Sequence, residues 1–573
     1  MGTTVIGDDL LLSLLWMVPL GGSFAILLMP GRATTLIRRF ALGTTVLTFL
    51  LTLVVFASYL SLGPDQSSLA SRALISPLGD PKVAAVEGNL AVRNAWIPEF
   101  GIEYYLGVDG ISLALLLLTS LVAVLACGAS MDVEAKAKGY FSLFLLLTSS
   151  LMGVFLALDL VLFYVFFEVM LLPMYFLIAL WGGERREYAA IKFLLYTLFG
   201  SVFILVAILA LYFWPGDAPS FLPGGQFKAH TFDVLQLTRA ASETGYYGHG
   251  IQQWVFALFF IGFCVKLPSF PFHTWLPDAH VEAPTPISMV LAGVLLKIGG
   301  YGLIRMAWPL APAGAHDWAY PVAALGVFSI LYGALAAMAQ TDFKKLVAYS
   351  SISHMGYVTL GMAAMNLAGD HRFYAYGLNG AMYMMIAHGI TSTAMFFLVG
   401  VIYDRAHTRD LTRLGGLERT MPLYYAASVV IFFGSMGLPG LCGFIAEVFV
   451  VLSSFHYSVA LGVLAAFAVV LTAGYILWTL RRVFGGRNDS LSLLPDLTRR
   501  EKAILAPLVV LTVMLGVYPR SLLDWMSPSV DEVAKMVIGA KGNRGNLAKF
   551  RPSDAPVLDL QPRDLAEVAE VPR

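Results

Sequence analysis

Six ionisable residues stand deep inside apolar stretches. Glu168 sits in LVLFYVFFEVMLLPMYFLIAL, Lys266 in IGFCVKLPSFPFHTW and Lys297 in ISMVLAGVLLKIGGYGLIRM. His354 sits in VAYSSISHMGYVTL, His388 in YMMIAHGITSTAMFF and Glu447 in MGLPGLCGFIAEVFVVL. Carboxyl, amine and imidazole groups share one chemistry here, the uptake and release of protons, tuned by burial and neighbouring charge. Glu168 lies nine residues past Asp159, about 14 Å along a helix, which is the midplane of a hydrocarbon layer ~30 Å thick. Each charge at that depth costs about 2.5–3.5 kcal/mol. The structural alternative, buried ion pairs joining helices, is weak because such pairs stabilise little; a single histidine can also pack as a neutral ring. Taken together, the six read as a relay facing the bundle interior.

Four further residues read as accessory. Lys192 is five residues past Glu187, about 8 Å in, where its stem can snorkel to the interface. Arg305 lies two turns beyond Lys297, near the outer face, and reads as an anchor. Asp278 and His280, with Glu282, follow a broken span and either line an uptake path or are simply wet. Two spans are interrupted beside a charge: Pro268 and Pro271 follow Lys266, and Pro439 and Gly440 precede Glu447. Proline removes a backbone donor, and irregular backbone survives at membrane depth only where it is buried or lines a watery cavity.

The elements that must position these groups are membrane helices. Of 573 residues, 58% are hydrophobic and 13% charged, too few charges to cover a water-facing surface of that size. Apolar runs of about twenty residues recur, each long enough to span as a helix. The expected fold is all-α and polytopic, with fourteen spans near residues 10–29, 40–60, 110–131, 139–158, 160–182, 188–213, 251–268, 285–307, 318–340, 346–366, 374–402, 421–454, 457–480 and 503–519; the seventh and twelfth are broken. The long segments 61–109 and 214–250 and a polar tail after about 525, with little order, lie outside the membrane. The first residues lack the basic region of a signal peptide, so the first run is expected to stay as an anchor. Lys and Arg collect on alternate loops, from Arg32, Arg38 and Arg39 through Lys344 and Lys345 to the cluster between Arg481 and Lys502. That face is cytoplasmic by the positive-inside rule, which puts both termini and both long loops on the periplasmic side of a bacterial inner membrane.

Glu168 and His354 are 186 residues apart, Lys266 and Glu447 181. Matched breaks and charges at one separation point to two repeats, and five spans per repeat require the second copy to be inverted. The expected organisation is a three-helix region 1–131, a first five-helix repeat 139–308, a second 318–480, a last span 503–524 and a tail 525–573. Net charge is zero, which gives nucleic acid nothing to bind. Cys127, Cys264 and Cys442 are scattered in apolar runs, with no CxxC or Cys/His cluster, so neither metal nor cofactor is expected in the chain.

FYVFFEVMLLPMYFLI, VKLPSFPFHTWLPDAHVEAPTPISMVLAGVLLKIGGYGLIR, DFKKLVAYSSISHMGY and LPGLCGFIAEVFVV resemble the antiporter-like subunits of NADH:quinone oxidoreductase (respiratory complex I) over roughly residues 100–520. Within that family YLGVDGISLALLLLT and the acidic residue at the second break, Glu447, resemble the M-type branch, equivalent to subunit 4. The resemblance implies a proton-translocating subunit whose central axis is formed by Glu168, Lys266, Lys297, His354, His388 and Glu447. It implies that this chain does no redox chemistry: NADH, FMN, iron–sulfur clusters and quinone would belong to partner subunits, with L-type and N-type siblings as neighbours and phospholipid around. In that scheme Glu168 stands close to Lys266 and keeps it charged, Lys266 is the switchable carrier, Lys297 and the histidines relay, and Glu447 is the exit-side acceptor. The alternatives are a subunit of a multisubunit Na⁺/H⁺ antiporter or membrane-bound hydrogenase, a stand-alone solute transporter, and a structural scaffold.

Overall fold

A computed structural model describes residues 8–61, 90–214, 230–244, 246–365 and 371–540. Much of the two long segments, and the tail beyond 540, fall outside the described residues.

Helices α1 (Asp8–Leu28) and α2 (Thr34–Leu60) lead to a hairpin of β1 (Ala91–Ile97) and β2 (Ile102–Gly107), paired antiparallel. Arg93 on β1 bonds Glu103 at 2.7 Å and Asp233 at 2.8 Å, which pins the hairpin to the second long segment. Helix α3 (Gly110–Ala129) begins at Asp109, whose carboxylate accepts from the Ile111 and Ser112 N–H groups in a capping box. There follow α4 (Ala137–Leu156), α5 (Leu160–Trp181), α6 (Arg186–Tyr212), α7 (His249–Lys266), α8 (Trp275–Glu282), α9 (Thr285–Leu310), α10 (Ala319–Met338), α11 (Phe343–Ala363) and α12 (His371–Ala406). Then come α13 (Pro422–Ser435), α14 (Cys442–Tyr457), α15 (Val459–Phe484), α16 (Arg499–Val517) and α17 (Arg520–Gly539).

A helix, whole or broken, lies over each of the fourteen expected segments. Among the described residues ten helices are long and apolar enough to cross a membrane, and eleven if α16 and α17 count as one bent span. The segments outside that set are the broken or polar ones: α7, α11 and the pair α13 and α14. The apolar core of α9 and that of α12 are buried all round, whereas α1, α2, α6 and α15 bury well under half of theirs. A helix apolar on every side is either a core helix or a lipid-facing one. The first pair forms the centre of the bundle and the second group its periphery.

Two breaks fall where the prolines put them, after Lys266 and after Ser435. A third, unforeseen, falls in α5: the helix is interrupted at Met170, between Leu160–Val169 and Leu171–Trp181, beside Glu168. Pro173 accounts for it, since it cannot donate to the Val169 carbonyl four residues back.

The tail needs correction. Residues 520–539 are a helix that bends 72° away from α16. Leu522, Leu523, Met526, Val530, Val533, Ala534, Val537 and Ile538 recur at three- and four-residue spacing and are buried. Counting the charges Asp524, Asp531, Glu532 and Lys535 hid that period. The helix docks through Ser529, whose hydroxyl accepts from Gly110 N–H at 2.9 Å, and Asp531, which accepts from the Asn379 amide at 2.8 Å. The 72° bend sets α17 apart from a straight continuation of α16.

Candidate functional site

The central helix α9 carries Lys297 and is not uniformly α. Leu291–Leu295 and Leu303–Ala307 wind as π-helix on either side of it. Such wide turns redirect side chains and occur where helices carry function. Beyond Lys297, Gly299 brings α9 against the first break: a Cβ there would lie 2.5 Å from Leu267 N and 2.7 Å from Phe263 O.

Lys297 is fully buried. Its Nζ donates to the Ala292 carbonyl, on the π segment, and lies 2.8 Å from Nδ1 of His388 on α12. The His388 ring is 5.3 Å, centroid to centroid, from that of His354 on α11. His354 is in turn held between two carbonyls, with Nδ1 2.7 Å from Ser350 O and Nε2 2.8 Å from Ser435 O, the last residue of α13. Across that second break, Glu447 is buried on α14, and its carboxylate rests against Gly437. Gly437 has φ +78° and ends α13 with a hydrogen bond from Leu438 N–H to Phe433 O at 3.2 Å, the turn that left-handed glycines make at helix C-termini.

At the first break Lys266 is also fully buried, and its Nζ has no hydrogen-bond partner. It faces the Phe167 ring at 4.8 Å and the Phe193 ring at 5.7 Å. The neighbour expected for this amine is Glu168. The two are within electrostatic reach but form no direct ion pair, because the rings of Phe167 and Phe193 occupy the ammonium's surroundings. Glu168 is part-exposed on a flank shared with exposed Val165, Val169 and Leu172, although its Oε1 is enclosed and unpartnered.

The accessory residues are more tightly held than the sequence suggests. Lys192 does not merely snorkel; it pairs with Asp278 at 2.7 Å, tying α6 to α8, so Asp278 is not simply wet. Arg305 is no surface anchor. It is buried and donates to Asp109 at 2.6 Å. Asp109 went unnoticed because it stands at a helix start, where a capping role already accounts for it. His280 is fully buried, stacked on Phe396 at 4.3 Å, with neither ring nitrogen bonded.

Sequence reasoning also missed Lys344, taken only as a topology marker. Its side chain is buried and donates to the carbonyl of Ala283, in the link between α8 and α9, and at 3.4 Å to that of Val281 in the last turn of α8. It helps to line a cleft of about 870 Å³ that opens between the ends of α5, α8 and α12 and the starts of α11 and α16, with Glu282, Asp342, Asp404, Arg409 and Glu501 among its walls. His280 is within electrostatic reach of both Lys344 and Lys297. The signal was present: in DFKKLVAYSS one of two adjacent lysines must share a face with the apolar residues of α11.

Buried polar atoms almost always find a partner. Here Glu168 Oε1, Lys266 Nζ, both nitrogens of His280, His388 Nε2 and Glu447 Oε1 are left without one by the protein. Among the described residues no group of three or more His, Cys, Asp or Glu is arranged to hold a metal ion.

Interrupted helices around a buried row of titratable side chains define the antiporter-like class of polytopic membrane proteins. The family described as NADH:quinone oxidoreductase/Mrp antiporter, TM, matches residues 157–472, and the chain belongs to that family. It is 42% identical over 515 residues, 89% of its length, to an NADH-quinone oxidoreductase subunit M of Rhodobacter capsulatus, covering 92% of that protein. It is 39% identical to NAD(P)H-quinone oxidoreductase chain 4 2 of Thermosynechococcus vestitus, over 92% of each chain. Among solved structures it resembles a chain of respiratory complex I from Thermus thermophilus, with TM-score 0.75 and 29% identity over 92% of this chain and 99% of that one. The fold also resembles a chain of the Mrp complex from Dietzia sp. DQ12-45-1b, with TM-score 0.73 and 24% identity over 92% of this chain and 52% of that one.

Proposed function

We infer that this chain is the M-type, proton-translocating membrane subunit of an NADH:quinone oxidoreductase, and so a component of an oxidoreductase complex. The observation that carries the inference is the run of contacts Lys297–His388–His354 in the core of the bundle, ending on the second helix break beside Glu447. The quinone oxidoreductase reading is favoured over the Mrp-type one because subunit M and chain 4 relatives match at 38–42% identity, and because among solved structures the complex I chain matches at 29% over 99% of its length and the Mrp chain at 24% over 52%.

In this reading NADH oxidation, flavin, iron–sulfur clusters and quinone reduction belong to partner subunits. The cleft carries Arg409 and Arg500 among its walls and opens on the basic, cytoplasmic face, with both termini on the periplasmic side. Protons enter there, pass Lys344 and His280, and reach Lys297. His388 and His354, side chains that titrate nearest neutral pH, carry them to Glu447 at the second break. Lys266 is the switch. Aromatic faces rather than a carboxylate surround its amine, so Glu168 acts on its charge from a distance. A part-exposed carboxylate at mid-depth is expensive against lipid. The flank of Glu168 is therefore covered by a neighbouring membrane subunit, for which the L-type and N-type siblings are the candidates. The segments 139–308 and 318–480 are the two inverted repeats, the first broken at Met170 and after Lys266, the second after Ser435.

The test is the intact complex carrying Lys266→Ala, reconstituted in proteoliposomes. NADH oxidation by an artificial electron acceptor persists and NADH-driven proton translocation is lost. Unchanged translocation in the assembled variant removes Lys266 as the switch.

A further inference from the structure

The two helix breaks are closed by different chemistry. Where a helix ends, its last carbonyls lose their internal donors. At the first break Ser269 N–H bonds back to Cys264 O at 3.1 Å, and the indole Nε1–H of Trp275 donates to Val265 O at 2.8 Å. An indole N–H is a donor in every state the protein visits. At the second break the corresponding donor to a last-turn carbonyl, Ser435 O, is a ring nitrogen of His354, which can lose its proton.

His354 Nδ1 faces a second carbonyl, Ser350 O. A carbonyl oxygen accepts only, so both ring nitrogens must carry hydrogen for both contacts to hold, and that form is the imidazolium. Burial works against a cation at this depth, and the two carbonyls work for it. When one proton leaves, a nitrogen lone pair is turned on an oxygen lone pair, and one contact is lost. Ser350 O is fixed within the ladder of α11. Ser435 O belongs to a helix end followed by two left-handed glycines, Gly437 at φ +78° and Gly440 at φ +88°, and that is the side able to move. The titratable groups that reach the ring are His388 of α12 and Lys297 of α9; one step further out, His280 of α8 reaches His388, and Tyr475 of α15 reaches Ser350 and Glu447 of α14. On the α10 side Ser353 bonds Ile330 O.

We propose that the protonated ring of His354 holds the second helix break closed, so that loss of its proton releases the end of α13, while the Trp275 cap of the first break has no proton to lose. The proposal deepens the relay reading and rests on it only for the purpose of the motion: passing a proton from His354 would loosen the backbone beside Glu447.

Two native thiols report on the two breaks, Cys264 in the last turn of α7 and Cys442 at the first residue of α14, both buried. In the intact complex, modification by a membrane-permeant maleimide is followed from pH 5 to pH 7.5 as the ratio of Cys442 to Cys264, which cancels the common pH dependence of thiols. The ratio rises by about tenfold in the native protein, the equivalent of one hydrogen bond to a charged group. It stays flat in His354→Gln, whose amide still donates to Ser435 but cannot titrate. Amide hydrogen exchange of residues 437–444 against 267–274 gives the same comparison without reliance on reagent access. A flat ratio in the native protein, or an equal rise in His354→Gln, overturns the proposal. Neither readout measures pumping, so that failure leaves the relay reading standing, and loss of the relay reading shows instead in proton translocation.

Discussion

Replacing Gly437 by alanine tests whether the position of the Glu447 carboxylate matters, and the structure supplies its own control. A Cβ at Gly437 would fall on Glu447 Oε2 and lie 2.7 Å from its carboxyl carbon, where ordinary contact begins near 3.4 Å. The carboxyl group must therefore retreat by roughly 1 Å, a misplacement that costs on the order of 10²-fold when it falls on a reacting group. The same substitution also forces a side chain into left-handed backbone at φ +78°, at a cost of about 1–2 kcal/mol. Gly440 has nearly the same backbone strain, φ +88°, but a Cβ there meets nothing within 4 Å. Gly437→Ala and Gly440→Ala thus share the strain and differ in the contact with Glu447. The assay is the initial rate of NADH-driven proton translocation by the purified complex in proteoliposomes. Gly437→Ala is expected to fall at least about tenfold below Gly440→Ala, with Gly440→Ala within about twofold of the native protein, since an exposed strained site mainly costs stability. Equal translocation by the two variants refutes the reasoning that Glu447 must sit where it does.

Three further outcomes are expected. Asp109→Ala leaves Arg305 buried without its partner and should lower the thermal stability of the purified complex by about 3–5 kcal/mol, whereas the double variant Asp109→Leu/Arg305→Met recovers most of it; this is read by thermal inactivation. Burial pushes the Asp531 carboxyl up to about 6, against the hydrogen bond from Asn379. The folded state therefore favours the protonated form, and a penalty on α17 docking grows as pH rises from the ordinary carboxylate range through about 6, so Asp531→Asn should stabilise at pH 8 and have a smaller effect at pH 5 in thermal melts. Lys344→Ala removes the ammonium that bonds the α8–α9 link and should slow NADH-driven acidification while leaving NADH oxidation by an artificial acceptor intact, in a stopped-flow measurement of both rates.

The membrane class and the two breaks were legible because each has a one-dimensional signal: long apolar runs, and prolines beside a charge. The six axis residues stood out for the same reason, as ionisable letters in apolar text. Which of them touch was not legible. Lys297 and His388 are 91 residues apart, and nothing in either segment encodes their meeting. Glu168 is expected close to Lys266, and what the sequence does not show is that aromatic side chains that read as packing, Phe167 and Phe193, stand around the amine. Lys344 and Asp109 escaped notice because they sit at helix starts, where a charge is ordinary and only the fold shows that it is buried. The helix 520–539 was missed because its charges drew more attention than the period of its leucines and valines.

The central claim is that protons cross this chain through Lys297, His388 and His354. The most direct measurement is the number of protons translocated per NADH by the intact complex carrying Lys297→Met, with the presence of this subunit in the purified complex as the check on assembly and NADH oxidation by an artificial acceptor as the check on the redox subunits. Translocation falling by at least the share carried by this subunit, with that oxidation unchanged, is the result the account predicts. A native proton yield from the assembled Lys297→Met complex would contradict it.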